Sequence, residues 1–221
     1  MNKEYLCRFN FSKSFKNNWC KVSDKYAVIS ISKNGCSTVN VQSYVYQKKI
    51  DINNFKNAEH KHLCDIDLPH IFQSQKRRYI INKKVNSLVH VCIIRDPIER
   101  LLSAYKTKRF VIEKSFDEFL LNVKYTFDNC PMDKINQHIH LQSAHFDFND
   151  VDIFVYLSDY EKFCNEHDIS FIKLNQNPDK NYQTKIELTD EHISMIKDIY
   201  KEDYEMIEKI KNSGKLYNGT L

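Results

Sequence analysis

The chain has 221 residues, of which 42% are hydrophobic and 28% are charged. This length and composition predict a globular protein with one large domain, and they exclude an intrinsically disordered chain. The formal net charge of +4 is small and dispersed, so it does not indicate nucleic-acid binding. It is compatible with anionic ligands.

The cysteines and the apolar residues bear on the cellular compartment. The seven cysteines are scattered, and none forms a Cys-x-x-Cys pair. They therefore predict no disulfide framework and no zinc site, and they favour a reducing compartment. No stretch approaches about 18 consecutive apolar residues, and Met1–Asn18 lacks the apolar core of a signal peptide. We therefore expect no integral membrane segment and a cytoplasmic location.

A turn after the first predicted strand has the properties of a phosphate-binding loop. Residues 1–25 show no clear hydrophobic period and predict an N-terminal arm, whereas Tyr26–Ile31 predicts a strand. The turn 32–38, SKNGCST, then leads into a segment with apolar residues at helical spacing. Helix N-terminal amides attract anions, and Lys33 adds a positive charge.

This turn is not a Walker A loop, because Lys33 precedes Gly35, the only glycine of the turn. The residues alone therefore predict either an anion-binding loop or an ordinary turn between a strand and a helix.

A second junction of a strand and a helix lies near the middle of the chain. Leu88–Ile94 is an apolar run rich in β-branched residues, which is typical of a strand buried in a parallel sheet. Asp96 predicts a helix N-cap, with Pro97 at the first helical position and Glu99 completing a capping box. Arg95 lies between the strand and the helix, where open α/β sheets bind anions. A capped helix with a solvated arginine is the alternative interpretation.

The stretch Arg95–Tyr105, RDPIERLLSAY, resembles the 3′-phosphate-binding motif of carbohydrate sulfotransferases, and the heparan-sulfate 2-O and chondroitin/dermatan types are the closest groups. The resemblance implies that Arg95 and Ser103 bind the 3′-phosphate of 3′-phosphoadenosine 5′-phosphosulfate (PAPS). The turn 32–38 resembles the 5′-phosphosulfate loop of the same family, which implies that Lys33 contacts the oxygen between phosphate and sulfonate. The other cofactor-binding residues implied in this loop are Asn34, Gly35, Cys36, Ser37 and Thr38.

The resemblance also implies a catalytic histidine between the two phosphate motifs. His70 precedes Arg95 by 25 residues, which is close to the family's spacing, so we expect His70 to be the general base. His60 and His62 are the alternatives. These two histidines and Cys64 form a cluster without a fourth ligand at a defined spacing, so we expect no metal site.

Two later segments resemble the family as well. The segment 136–142 resembles a His-x-x-x-Gln segment, which implies that His138 and Gln142 line the acceptor side of the cleft. The loop 172–182 resembles an asparagine-containing segment, which implies that Lys180 and Tyr182 contact the 3′-phosphate or the adenine. A solvated loop is the alternative for Lys180 and Tyr182.

The remaining elements follow from local patterns. Ser115 predicts the N-cap of one helix, and Thr189 predicts the N-cap of a single final helix that ends near Gly214. Val151–Leu157 predicts a further strand.

Together these patterns predict an α/β fold: a single domain with a mostly parallel central sheet flanked by helices and a P-loop-like phosphate-binding loop. We expect an N-terminal arm over 1–25, a sulfotransferase domain over 26–214 and a C-terminal tail over 215–221. The resemblance implies a PAPS-dependent carbohydrate O-sulfotransferase that needs no metal and releases adenosine 3′,5′-bisphosphate. The acceptor would be an oligosaccharide, a polysaccharide or a glycolipid.

Two other functions remain open from the sequence. A small-molecule or nucleotide kinase with a degenerate phosphate loop would need Mg²⁺ carboxylates and a Gly-Lys-Ser/Thr order, neither of which is evident. A non-catalytic nucleotide-binding module would keep the fold without turnover. The oligomeric state is also open.

Overall fold

The apolar runs of the sequence form one five-stranded sheet in the computed structural model, which describes residues 19–49, 80–81, 87–106, 115–172 and 186–219. The chain divides into two compact units. The sheet unit contains the described residues of Asn17–Ile94, Phe146–Asn177 and Lys215–Leu221. The helical unit contains the described residues of Arg95–His145 and Pro178–Gly214.

The sheet is mostly parallel and lies within the sheet unit. Its strands are β1 (Trp19–Lys21), β2 (Tyr26–Ile29), β3 (Ile80–Ile81), β4 (Val89–Ile94) and β5 (Ile153–Tyr156). They lie in the order β3-β1-β2-β4-β5. β4 is parallel to β2 and β5, whereas β1 is antiparallel to β2 and β3, so β1 alone among the described strands runs the opposite way. The predicted α/β architecture is confirmed.

Strand β4 lies between β2 and β5 in the sheet. Its residues Val91–Ile94 are all 0% exposed, as the continuous apolar run predicts. In the register of the sheet, Val28 of β2 lies beside Val91, and Val155 of β5 lies beside Ile93. Burying each such side chain contributes about 1.5–3 kcal/mol, so β4 is a rigid base for the loops that leave this sheet.

Each unit contains some of the α-helices of the described residues. In chain order they are α1 (Cys36–Lys48), α2 (Pro97–Tyr105), α3 (Phe116–Asn129), α4 (Tyr160–Glu166), α5 (Asp190–Ile199) and α6 (Lys201–Lys211). α1 and α4 belong to the sheet unit, and the others to the helical unit. None of the helices in the described part of the chain is long and apolar enough to cross a membrane.

A buried polar network joins α1 to α4. Gln42 of α1 is buried and accepts a hydrogen bond of 2.8 Å from the hydroxyl of Tyr160. Its amide nitrogen donates to the carbonyl of Ser170 at 2.8 Å. Because both ends of the amide have partners, the polar side chain is compatible with the apolar core around it.

Both ends of the sheet unit extend beyond the predicted domain boundaries of residues 26 and 214. At the N-terminal side, Trp19–Lys21 forms β1 inside the sheet instead of an arm. At the C-terminal side, the amide of Phe154 donates to Lys215, and the amide of Tyr217 donates to Phe154, each at 2.8 Å. Residues 215–217 therefore cover part of the outer edge of β5, which would otherwise expose its backbone.

The helix starts of the helical unit agree with the sequence. Asp96 caps α2 by accepting from the amides of Ile98 and Glu99, and Ser115 caps α3. Thr189 caps α5 by accepting from the amide of His192. These three predicted N-caps are confirmed. Each could be predicted from the sequence because the cap accepts from an amide only two or three residues further along.

The predicted single final helix is wrong. The chain leaves the helical conformation at Tyr200, whose φ is −104° and ψ is 26°, and two helices, α5 and α6, result. The Tyr200 ring is buried, and its hydroxyl donates to the carbonyl of Ile139 at 2.7 Å. This long-range contact accompanies a break that the hydrophobic period does not reveal.

The cysteines of the described residues are in two chemical states. Cys130 is disulfide-bonded, whereas Cys20, Cys36, Cys92 and Cys164 are in the thiol form. Disulfides form and persist in oxidising compartments. The cytoplasmic location stays a prediction.

Gly35, the residue before α1, is expected to be intolerant of a side chain. Its φ is +79°, and a Cβ would lie 3.0 Å from Cδ1 of Leu157. We expect Gly35→Ala to lower the free energy of unfolding by about 2 kcal/mol, from the left-handed conformation and the close contact together. Gly214→Ala is the matched control, because φ is +71° there but nothing lies within 4 Å of the added Cβ. Equal destabilisation of the two variants in urea denaturation would contradict a role of the Leu157 contact.

Candidate active site

The loop Ser32–Gly35 joins the β2 side of the sheet to α1 and is anchored on β4. Asn34 is fully buried, and its side-chain amide donates to the carbonyl of Ile93 at 3.0 Å. Its backbone amide donates to the carbonyl of Ile31 at 3.1 Å. These contacts make Asn34 an anchor of the loop, and its expected contact with the cofactor stays a prediction.

Two residues of this loop have a left-handed backbone. The φ angle is +70° at Lys33 and +79° at Gly35. Glycine adopts this region freely, but a residue with a Cβ loses about 1–2 kcal/mol there. Strained non-glycine residues cluster at functional sites, where the conformation directs a side chain. Lys33 is therefore the residue of the loop whose geometry most indicates a function.

The N-terminus of α1 has the donors of an anion site. Gly35 is the N-cap and offers no side-chain hydrogen bond, and the described first turn of α1 contains no acidic residue. The first backbone bond of the helix runs from the amide of Val39 to Gly35 at 3.1 Å. The amides of Cys36, Ser37 and Thr38 thus precede the helical ladder and carry the positive end of the helix dipole. This arrangement suits a phosphate or sulfonate group.

Arg95 lies directly after β4, and Glu99 is near its side chain. The guanidinium Nε of Arg95 is 3.4 Å from a carboxylate oxygen of Glu99, one turn further along the chain. The Arg95 side chain is 22% exposed and that of Glu99 is 66% exposed. The Glu99 side chain thus interacts with Arg95, and the Glu99 half of the predicted capping box is not formed. Such an exposed pair is worth little in stability, but it restricts the directions the guanidinium adopts.

The backbone of Arg95 is bound by the side chain of Gln142. The amide of Arg95 donates to Oε1 of Gln142 at 3.2 Å, and Nε2 of Gln142 donates to the carbonyl of Arg95 at 2.7 Å. Gln142 is 0% exposed. Both ends of the Gln142 side chain therefore have partners in the backbone of Arg95, and its expected place on the acceptor side stays a prediction.

Ser103 lies on the half-exposed side of α2. The buried side of this helix is formed by Pro97, Arg100, Leu101 and Ala104. Ser103 follows Glu99 by four residues, so both lie on the same face of the helix. The structure thus places Arg95, Ser103 and Gln142 in the helical unit and the loop with Lys33 in the sheet unit.

The segment 136–143 is held by buried charged and polar side chains of the helical unit. Arg100, which is 1% exposed, donates to the carbonyls of His140 at 2.5 Å and Gln137 at 3.4 Å. The carboxylate of Asp203 accepts the amides of Gln142 at 3.0 Å and Ser143 at 2.9 Å. A carboxylate that accepts two amides is a strong anchor, so the backbone carrying Gln142 is fixed.

The two histidines of this segment differ in their surroundings. His140 is buried, and its ring nitrogens face the carbonyls of Leu141 at 3.2 Å and Met132 at 2.9 Å. Burial lowers the pKa of His140 below its usual value. His138 is half-buried, and its backbone amide donates to the Asn136 side chain at 3.0 Å. Of this pair, His138 is the one that retains access to solvent.

Several predicted site residues lie outside the described residues. They are His60, His62, His70, Lys180 and Tyr182. Within the described ranges, no group of three or more His, Cys, Asp or Glu side chains could hold a metal ion.

Arg100 and Asp203 are parts of this arrangement that were not predicted from the sequence. Both interrupt apolar helix faces, because Arg100 lies among the buried residues of α2, and Asp203 lies among those of α6. A charged residue at a buried helical position is costly unless it is paired or hydrogen-bonded, so this pattern is a usable signal for a buried polar network.

A comparison with family models assigns the chain to a group of enzymes. The model described as the Sulfotransferase family matches residues 10–161, a range that contains Lys33, Arg95 and Ser103. No curated protein and no solved structure matches the chain. The match covers more than half of the chain and agrees with the α/β sheet and its two strand-to-helix junctions. The chain therefore belongs to the sulfotransferase family.

Proposed function

We propose that this sulfotransferase moves the sulfonate group of PAPS to a hydroxyl of a carbohydrate. The observation that carries the proposal is the loop Ser32–Gly35 with the first turn of α1. There a strained Lys33 precedes helix amides, and the described first turn has no acidic residue that would repel an anion. The family membership supplies the reaction, and PAPS is the donor that sulfotransferases generally use.

The donor set of the loop fits the 5′-phosphosulfate. The groups offered are the amides of Cys36, Ser37 and Thr38, two hydroxyls and the amine of Lys33, all of which donate hydrogen bonds. PAPS, when bound, supplies the sulfonate and leaves as adenosine 3′,5′-bisphosphate. Lys33 stabilises the negative charge that develops on the leaving oxygen. The loop is P-loop-like in this function, although it lacks the Walker A order.

Arg95 and Ser103 bind the 3′-phosphate in this proposal. A guanidinium matches phosphate oxygens with two parallel donors, and a hydroxyl adds a third. Lys180 and Tyr182 contact the same phosphate or the adenine. This set of contacts selects a 3′-phosphorylated nucleotide over other adenine nucleotides.

The acceptor reaction requires a base and an in-line geometry, but no metal. His70 takes the proton of the acceptor hydroxyl while the sulfonate transfers. His138, which is half-buried, contacts the acceptor. The acceptor is an oligosaccharide, a polysaccharide or a glycolipid, and we propose neither nucleic acid nor a membrane as a partner.

Nucleotide binding tests this proposal. Adenosine 3′,5′-bisphosphate should bind without a metal, and AMP, which lacks the 3′-phosphate, should bind much more weakly. A charge-assisted contact contributes about 1.5–3 kcal/mol, so Arg95→Ala should weaken bisphosphate binding roughly tenfold to a hundredfold. Isothermal titration calorimetry with the two nucleotides measures both effects.

The controls separate the proposal from its alternatives. Arg95→Ala should leave the affinity for AMP nearly unchanged, because AMP offers no 3′-phosphate. Equal binding of the bisphosphate and AMP by the unmodified protein would contradict the proposed cofactor site. Tight binding of ATP only in the presence of Mg²⁺ would favour a kinase instead.

A further inference from the structure

Gln142 uses its side chain to hold the two backbone polar groups of Arg95. The contacts are the hydrogen bonds of 3.2 Å from the Arg95 amide and 2.7 Å to the Arg95 carbonyl. Arg95 lies between the last residue of β4 and the N-cap of α2. At such a junction neither the strand ladder nor the helix supplies these bonds in full, so the amide side chain fixes the backbone there.

We infer that Gln142 is a positioning residue that holds Arg95 in the orientation required for the 3′-phosphate, and that Asp203 holds Gln142. This inference rests on the proposed function of Arg95. A guanidinium binds phosphate through two directed bonds, and the direction of its side chain follows from the backbone that carries it. Gln142 therefore acts on nucleotide selection without touching the nucleotide.

Asp203 makes the support rigid. It is 0% exposed, and its two carboxylate oxygens accept the amides of Gln142 and Ser143 at 3.0 and 2.9 Å. Arg100 fixes the same segment further back, at the carbonyls of Gln137 and His140. Gln142 thus extends from a backbone that is anchored on two sides, which limits how far Arg95 can move.

Gln142→Asn is the decisive variant, because it keeps the amide but shortens the side chain by one methylene. The shortened amide no longer spans both backbone groups of Arg95. We expect the affinity for adenosine 3′,5′-bisphosphate to fall about three- to tenfold, and the affinity for AMP to stay constant. Calorimetry gives the ratio of the two dissociation constants for each variant.

Gln42→Asn is the matched control for a shortened buried amide. Gln42 also bonds through both ends of its side chain, to Tyr160 and Ser170, but in the sheet unit. Gln42→Asn should lose stability as Gln142→Asn does, while its ratio of bisphosphate to AMP affinity stays at the value of the unmodified protein. Asp203→Asn keeps one acceptor oxygen and replaces the other with an NH2 donor that cannot accept a backbone amide, so it should change the ratio in the same direction as Gln142→Asn.

A double variant shows whether Gln142 acts through Arg95. If it does, Arg95→Ala with Gln142→Asn binds the bisphosphate no more weakly than Arg95→Ala alone, because the positioned group is already absent. Additive losses in the double variant would overturn the inference, as would an equal fall in AMP and bisphosphate affinity in Gln142→Asn. A raised KM for the acceptor with an unchanged nucleotide ratio would also overturn it and return Gln142 to the acceptor side. The proposed function fails separately, if Arg95→Ala itself leaves the nucleotide ratio unchanged.

Discussion

Replacing Lys33 with alanine is expected to lower kcat for sulfonate transfer about 10²–10³-fold, whereas the affinity for adenosine 3′,5′-bisphosphate falls far less. Negative charge on the leaving oxygen increases as the bond to sulfur breaks, so a cation placed there stabilises the transition state more than the ground state. Lys33 is the only lysine or arginine of the turn 32–38. Initial rates with labelled PAPS, together with calorimetry of the bisphosphate, separate kcat from binding.

Lys33→Gly controls for the backbone at this position. The φ of +70° at Lys33 suits glycine, which avoids the penalty of about 1–2 kcal/mol that alanine keeps. We expect Lys33→Gly to be more stable than Lys33→Ala and equally slow. A recovered rate in the glycine variant would mean that the loop conformation, not the amine, limits the reaction. A near-normal kcat with a raised KM in both variants would reduce Lys33 to a binding residue.

His70→Ala is expected to lower turnover about 10²–10⁴-fold and to leave bisphosphate binding intact. His70 lies outside the described residues, so this prediction rests on its position 25 residues before Arg95 and beside Pro69. A sugar hydroxyl is a poor nucleophile, and a neutral imidazole with a pKa of about 6.5 can take its proton near neutral pH. The rate of sulfate transfer to a panel of oligosaccharides measures the effect.

Two described histidines, His140 and His145, are poor candidates for the general base that we assign to His70. His140 and His145 are buried, and burial lowers the pKa of each below its usual value. Neither ring is placed to meet a substrate from solvent, which leaves half-buried His138 as the rival among the three histidines of residues 136–145. His60→Ala and His62→Ala should keep nearly full activity, whereas His138→Ala, at the proposed acceptor contact, should raise the KM for the acceptor and leave kcat nearly unchanged. Loss of turnover in one of these variants, with His70→Ala active, would move the role of the base to that histidine.

The amino-acid sequence by itself determined the local features of this protein. The N-caps at Asp96, Ser115 and Thr189 depend on amides two or three residues away, so a short stretch of chain contains all the information they need. The apolar run that forms buried strand β4 can likewise be recognised from the sequence alone. The two strand-to-helix junctions were also found from the sequence, and their likeness to sulfotransferase motifs agrees with the family match over residues 10–161.

The sequence could not determine which partner a polar side chain selects. Gln142 and Arg95 are 47 residues apart, and the amide that holds Arg95 has the same chemistry as one that binds a sugar. Asp203 is 61 residues from Gln142, and nothing near it in the chain indicates that it accepts that backbone amide.

Only the tertiary structure decided these roles, together with the break at Tyr200 and the place of Trp19–Lys21 inside the sheet. A hydrogen bond requires its two groups within about 3 Å, and for residues far apart in the chain only the packing of whole elements brings them to that distance. Burial then makes each bond obligatory, because an unsatisfied polar group in the interior costs about 1–3 kcal/mol. The fold therefore gives the Gln142 side chain two partners in the backbone of Arg95 that its place in the sequence does not reveal.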